Sequence, residues 1–439
     1  MRLLRWSLLG LVLALFPLAG PAQAQPDRTM GPGFLWGVAS SGFQAEGYSP
    51  DSNWSRYAES GQAADKIGNS IDFLHHYKDD IKLARKMGVQ VYRVGVEWAR
   101  IEPQPGVQSA EGIAFYDDLI ASIVQAGMRP MITVDHWVYP GWEADQGGWK
   151  RAGMVDDWLR NARFVVDRYA RYNPIWITIN EPSAYFLRQL KIGELTPLDL
   201  PTFASRLAAA HRPIYDYIHR VQPGAQVSSN VAFIPGAEPV LDALFLKGID
   251  KKLDFVGIDY YYSAAPTQPN TVYAAVDQFW KANPAADGIY YALQYYAQRY
   301  PKLPLYIVES GLPTEDHKPR ADGYLREDHL RDIVYWLEKA KADGYKVVGY
   351  NYWSLTDNYE WGSYTPRFGL YAVDVKADPT LTRQPTAAVD AYRQIIADNG
   401  VPDAYQPSRP PTFCSFVNGV SSCVQTLQNI GGLSLPPLG

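Results

Sequence analysis

The sequence predicts an α/β chain wound as a single (β/α)8 barrel of the TIM type, and three observations carry that prediction. Eight β-branched or aromatic runs alternate with amphipathic stretches of helical period between residues 33 and 398. The strand runs are almost continuously apolar, which suits strands buried on both faces of a parallel sheet. Their last residues are chemical: carboxylates, amides, an imidazole and an arginine collect at strand ends, where barrel enzymes carry their active groups. A doubly wound open sheet is the alternative. It needs a linker that the chain does not show before about residue 400.

The first strand is expected over 33–39, behind a glycine-rich turn that lacks dinucleotide-binding spacing. After a polar loop, 73–87 has the period of an amphipathic helix and stops at Gly88. Residues 89–96 form strand two, 113–126 a helix ended by Gly127, and 129–135 strand three, running into His136-Trp137. A helix over 155–172 leads to strand four, Ile175-Trp176-Ile177-Thr178-Ile179, where Pro182 should stop the ladder. A helix over 203–221, ended by Pro223-Gly224, precedes strands five (225–232) and six (253–260). Helix 290–300, strand seven (304–309), helix 323–342, strand eight (346–353) and a helix over 386–397 complete the barrel.

Composition narrows the function classes. With 439 residues, 47% hydrophobic and 20% charged, the chain is globular and long enough for one large barrel. Arg2 and Arg5 precede an apolar run over 8–18, then Gly20, Pro21 and Ala22-Gln23-Ala24. That order predicts a signal peptide cleaved after Ala24 and export to an extracellular or periplasmic compartment. The apolar run is short for a span and no later one approaches eighteen residues, so no integral membrane segment is expected. Losing Arg2 and Arg5 makes the chain more acidic than its formal −5, leaving no electrostatic reason to bind nucleic acid. The two cysteines, Cys414 and Cys423, sit together near the end. With no His or further Cys nearby, a disulfide is expected rather than a metal site, worth roughly 2–3 kcal/mol to the tail. The expected organisation is a signal peptide (1–24), the barrel (25–399) and an irregular, proline-rich C-terminal tail with one disulfide loop (400–439).

Two strand ends share a form. Strand four delivers Asn180-Glu181, and strand seven delivers Glu309-Ser310-Gly311. Either Glu alone reads as a solvated loop residue; two on one rim make a carboxylate pair. Around them fall Gln44, Arg93, His136, Tyr261, Trp353, Glu360 and Trp361. No His pair has metal-ligand spacing, and the adjacent His75-His76 cannot share a helix face. There is no phosphate loop and no Gly-x-Ser-x-Gly elbow, so no metal or organic cofactor is expected. Two carboxylates with hydrogen-bonding groups and aromatic rings are the equipment of glycoside hydrolysis: one protonates the leaving oxygen, the other attacks or activates water.

A series of longer motifs runs in the same order. It begins with Phe34-Leu35-Trp36-Gly37-Val38-Ala39, Gln44 with Glu46-Gly47, Tyr92-Arg93-Val94 with Trp98, and His136-Trp137. Thr178-Ile179-Asn180-Glu181-Pro182 and Asp254-Phe255-Val256-Gly257-Ile258 follow. The last are Ile307-Val308-Glu309-Ser310-Gly311, the run from Trp353 to Trp361, and Arg367-Phe368-Gly369. Over residues 33–398 the chain resembles glycoside hydrolase family 1, the β-glucosidase family. The resemblance implies a retaining exo-β-glycosidase acting by double displacement through a covalent glycosyl-enzyme, secreted if the amino-terminal segment is the expected signal peptide. It implies Glu181 as acid/base and Glu309 as nucleophile, with Arg93 and Tyr261 as the nucleophile's partners. Gln44, His136, Asn180, Glu360 and Trp361 would hold the non-reducing sugar, over the ring of Trp353. The implied partner is a carbohydrate or glycoside, with glucose ahead of galactose or fucose.

Elementary chemistry agrees with these roles. A cation and a hydroxyl donor favour an ionised nucleophile, and its charge should hold the proton on Glu181. Retention needs the carboxyl groups about 5–5.5 Å apart. A charged acceptor such as Glu360 favours sugar hydroxyls over phosphate, and a Glu at position 181 argues against the thioglucosidase branch. Departures from the family pattern are Val308 and Ser310 beside the nucleophile, and Asp259 where an Asn is usual. Asp259 adds a carboxylate that either opposes Glu309, contacts the aglycone or turns away. The stretches after Glu181, after Tyr262 and over 362–366 are short for the family, which predicts an open mouth and a bulky aglycone such as a glycolipid or oligosaccharide end. A transglycosylase with the same pair, and a catalytically silent carbohydrate-binding barrel, are the competing readings; the second should lack one carboxylate.

Overall fold

The computed structural model describes residues 29–234, 238–262 and 278–411. The expected signal peptide and the Cys414–Cys423 disulfide lie outside them. The β-branched runs form parallel strands: β1 (Leu35–Ala39), β2 (Val91–Gly95), β3 (Arg129–Asp135) and β4 (Ile175–Ile179). The fifth strand, β5, comes in two pieces, Gln226–Ser228 and Asn230–Ala232. Then follow β6 (Val256–Asp259), β7 (Leu305–Ser310) and β8 (Val347–Trp353).

The two pieces of β5 close the barrel. The first pairs with β4 and the second with β6, while β1 pairs with both β2 and β8. Ser229, between the pieces, turns its hydroxyl to the carbonyl of Ile179 at 2.7 Å. One residue therefore leaves the ladder without opening the ring.

Inward side chains change character along the barrel axis. The lower layer is apolar: Val91, Met131, Ile175, Ile177, Phe255, Tyr306 and Val308 form one dry cluster. Above it on the same strands stand Arg93 and Thr133, joined by a 2.9 Å bond from Nε to Oγ1. Asn351 of β8 bridges the layers, accepting from Tyr306 at 3.0 Å and donating to the Val308 carbonyl at 3.3 Å. It fits only because Gly37 faces it across the register: a Cβ there would lie 2.0 Å from Asn351 Oδ1.

Helices cover the ring where helical period and stop signals coincide: α1 (Phe73–Lys86), α2 (Ala110–Gln125) and α3 (Met154–Tyr169). On α3, Met154, Trp158, Ala162, Val165 and Tyr169 recur at helical spacing and are buried. The sequence reading has no element directly after Glu181. The structure has α4 (Pro182–Lys191), with Pro182 at its first turn, where a missing N–H costs nothing. Pro182 ends a strand and also starts a helix. A further helix, Asn53–Glu59, capped by Ser52, occupies the expected polar loop.

Next come α5 (Leu200–Val221), α6 (Glu238–Leu244), α7 (Gly288–Arg299), α8 (Arg326–Ala342) and α9 (Ala387–Asp398). The helix expected from 323 starts at Arg326, because Leu325 is extended, with φ −83° and ψ 147°. Residues 401–411 carry no helix or strand and run over α8. Buried Asp332 of α8 accepts from Tyr405 Oη (2.6 Å), Ser408 N (2.8 Å), Ser408 Oγ (2.7 Å) and Tyr324 Oη (2.6 Å). Among the described residues no helix is long and apolar enough to cross a membrane.

Candidate active site

Every strand end singled out in the sequence opens on the carboxyl-terminal face. Arg93 lies on β2, His136 just past β3, Asn180 and Glu181 past β4, and Tyr261 past β6. Glu309 lies on β7, Trp353 ends β8, and Gln44 comes from a one-turn helix after β1. Glu360 and Trp361 come from the loop after β8.

Contacts join them into one network. Arg93 donates from Nη1 to Glu309 Oε1 and from Nη2 to Asn180 Oδ1 at 2.6 Å. Tyr261 donates to the other Glu309 oxygen at 2.8 Å. Both oxygens of Glu309 thus meet donors, one of them charged, as an anionic acceptor requires. Asn180 Nδ2 reaches His136 Nε2 at 3.2 Å and Glu181 Oε2 at 3.4 Å. The His136 ring lies 5.8 Å from Trp361 and 6.0 Å from Trp353. Trp353 Nε1 donates to Glu360 Oε1 at 3.1 Å, and Gln44 Nε2 to Glu360 Oε2 at 3.0 Å.

Burial sets the protonation states. Burial first, and the Glu309 charge second, push the Glu181 carboxyl up to about 8; Arg93 and Arg188 oppose them. Burial and the Arg93 charge hold His136 well below its usual range, so the ring is neutral and its Nε2 can accept from Asn180. Tyr261 is raised well above its usual range by burial and by Glu309, which keeps it a donor. Burial raises Glu360 to about 7, against the Trp353 N–H and Arg188.

Asp259, the departure noted in the sequence, does not turn away. It is 1% exposed, and oxygens of Glu181, Asp259 and Glu309 all lie within 4.8 Å of one another. Among the described residues this is the one set of acidic or imidazole groups close enough to share a metal ion. The Arg93 guanidinium on Glu309 already supplies the positive charge an ion would bring.

Two participants are given no role in the sequence reading. Asn230 donates from Nδ2 to Asn180 Oδ1 at 2.7 Å and to Asp259 Oδ2. Its carbonyl accepts the Glu181 N–H at 3.1 Å. Asn358 accepts from Gln44 at 3.1 Å. Asn230 sits within the expected strand over 225–232, and Asn358 within the motif from Trp353 to Trp361, but neither carries a role there.

A closed barrel whose carboxyl face presents two buried carboxylates close together, an arginine and indoles around an imidazole is of the glycoside-processing class of enzymes. The model of "Glycosyl hydrolase family 1" matches residues 27–232 and 217–401. The chain belongs to that family. It is 31% identical over 340 residues to "Galactolipid galactosyltransferase SFR2, chloroplastic" of Arabidopsis thaliana, over 68% of this chain and 54% of that protein. It is 26% identical to "Beta-glucosidase A" of Thermotoga maritima, over 84% of this chain and 98% of that one. The chain therefore spans about half of the first relative and nearly all of the second. The solved family 1 β-glucosidase of Thermotoga maritima superimposes with a TM-score of 0.73 over 86% of this chain and 100% of that one, at 23% identity, a likeness of fold.

Proposed function

We propose that the protein transfers a glycosyl group from a β-glycoside to a hydroxyl acceptor by double displacement, with a galactolipid-type donor and a sugar hydroxyl as acceptor. Glu309 is the nucleophile, activated by Arg93 and Tyr261, and Glu181 is the acid/base. Attack by Glu309 on the anomeric carbon expels the aglycone oxygen as Glu181 gives it a proton. The acceptor hydroxyl then loses its proton to Glu181 and attacks the glycosyl ester, freeing Glu309. Gln44, His136, Asn180, Glu360 and Trp361 hold the sugar over Trp353.

The observation that carries the reading is the approach of one oxygen each of Glu181 and Glu309 to within 4.8 Å, close to the spacing of about 5–5.5 Å in a retaining pair and short of the wider inverting one. The name of the Arabidopsis relative supports transfer and the lipid donor, the latter in line with the bulky aglycone expected from the short mouth loops. Hydrolysis, with water as acceptor, is the second reading, supported by the full-length match to the Thermotoga β-glucosidase. Export through the amino-terminal segment belongs to the same proposal.

The test is incubation with vesicles of a β-galactosyl diacylglycerol, with products separated by chromatography and mass. Oligogalactosyl lipid is expected; free galactose alone would select hydrolysis. A 2-deoxy-2-fluoro glycoside with a good leaving group should label Glu309, and labelling at Asp259 would overturn the assignment.

A further inference from the structure

We propose that Asn230 is a positioning residue whose side-chain amide, together with Arg93, fixes which way the Asn180 amide faces, so that Asn180 presents its N–H to the sugar. The proposal rests on the reading of Asn180 as a group that holds the sugar. It begins from the polarity of a buried chain of hydrogen bonds. Arg93 has only donors, and its Nη2 meets one atom of the Asn180 amide at 2.6 Å, so that atom is the oxygen. Asn230 meets the same oxygen at 2.7 Å and must therefore offer its own Nδ2. The second hydrogen of that Nδ2 goes to Asp259 Oδ2. Both hydrogens of Nδ2 are thus used, and both asparagines are fully buried.

Two donors on its oxygen leave Asn180 Nδ2 on the opposite side, 3.2 Å from His136 Nε2 and 3.4 Å from Glu181 Oε2. With the amide turned over, an N–H would face the N–H groups of Arg93 and Asn230, and an oxygen would face that of Glu181. Arg93 alone fixes which end faces it but not the plane, because a single contact lets the amide pivot. A second contact, from a different residue, removes the pivot. Arg93 also bonds to Glu309, whose charge is lost when a glycosyl ester forms. The Asn230 bond does not depend on that charge.

The fold delivers Asn230 to this point. It opens the second piece of β5, just after the exit of Ser229, and pairs with Gly257 of β6. Gly257 makes the room: a Cβ there would lie 3.0 Å from Asn230 Cβ. The Asn230 carbonyl takes the N–H of Glu181 at 3.1 Å. One residue thus bonds to two successive residues past the end of β4, to Glu181 by its backbone and to Asn180 by its side chain. Asn180 stands between the arginine on Glu309 and the carboxylate of Glu181. The hydroxyl it meets is therefore the one beside the anomeric carbon, the 2-OH, where hydrogen bonds strengthen in the transition state.

The experiment compares wild type with Asn230→Ala on the nitrophenyl β-glycoside turned over best and on its 2-deoxy counterpart. On the first, kcat should fall by about 3–10-fold with KM little changed. On the 2-deoxy glycoside it should fall by less than about twofold, because the hydroxyl that Asn180 meets is gone. An equal loss on both substrates, a loss confined to KM, or no loss overturns the proposal. Asn230→Ser, which stays polar but is too short to reach Asn180, takes the place of Asn230→Ala should that variant not fold. Nitrogen NMR of the imidazoles reads the alignment without turnover, with His136→Gln identifying the signal. In wild type His136 Nε2 should be an unprotonated acceptor receiving a hydrogen bond. Asn230→Ala should move its signal toward that of a ring nitrogen without a donor, and an unmoved signal overturns the alignment. Wild type inactive on every β-glycoside, with a His136 signal that moves in the variant, removes the functional reading and keeps the alignment.

Discussion

At the scale of single residues the site is governed by desolvation. In the proposed mechanism Glu181 needs its proton for aglycone departure, and burial with the Glu309 charge keeps that proton up to about pH 8. Turnover of glycosides with poor leaving groups should therefore fall as pH rises through about 8, measured as kcat/KM against pH. Glu181→Gln should lose about 10²–10⁴-fold on such substrates. It should form the glycosyl-enzyme normally from a dinitrophenyl glycoside, seen as a burst. The same group bears on stability. Its folded-state value lies above the unfolded one, so the folded protein binds the extra proton between the two, and stability is lost as pH rises from about 4.5 toward about 8. Glu181→Gln should accordingly melt a few degrees higher than wild type above pH 8, a gain on the order of 1–2 kcal/mol. Glu181 and Glu309 were legible as residues because each ends a buried apolar run. Asp259 was legible as a departure, but its approach to Glu181 and Glu309 was not, because proximity across the ring depends on register.

At the scale of elements, strands were legible and their interruptions were not. The sequence predicts a strand over 225–232 but not the exit of Ser229, whose hydroxyl bonds to the Ile179 carbonyl. The same limit hid α4, because Pro182 was read as a terminator and the amphipathic stretch behind it was passed over. Helix starts drifted by up to three residues where caps, rather than apolar residues, set them. Close approach between elements gives a sharper test. On Gly37→Ala the new Cβ meets Asn351 Oδ1 at 2.0 Å and the Val91 carbonyl at 2.9 Å. Since backbone on one side cannot yield, destabilisation of about 1–3 kcal/mol is expected in denaturant melts, with the loss shared by β1, β2 and β8.

At the scale of the whole molecule, the barrel was legible because eight buried runs alternate with helices. The course of residues 401–411 was not, since irregular chain carries no period. Their attachment depends on Asp332, which collects four donors from Tyr324, Tyr405 and Ser408. Asp332→Ala leaves those donors without an acceptor, at about 1–3 kcal/mol for each one that stays buried. Faster amide exchange over 401–408 and a lower Tm are expected, with kcat unchanged, because the strap runs along α8 rather than over the mouth.

The dry cluster of Val91, Met131, Ile175, Ile177, Phe255, Tyr306 and Val308 has a kinetic corollary. Among the described residues it corks the amino-terminal side of the ring, leaving the site of the proposed reaction open toward the carboxyl-terminal face. Departing and arriving groups then share that face. The released alcohol and the incoming acceptor therefore exclude each other, and accumulating aglycone should slow the second half of each cycle by simple occupancy.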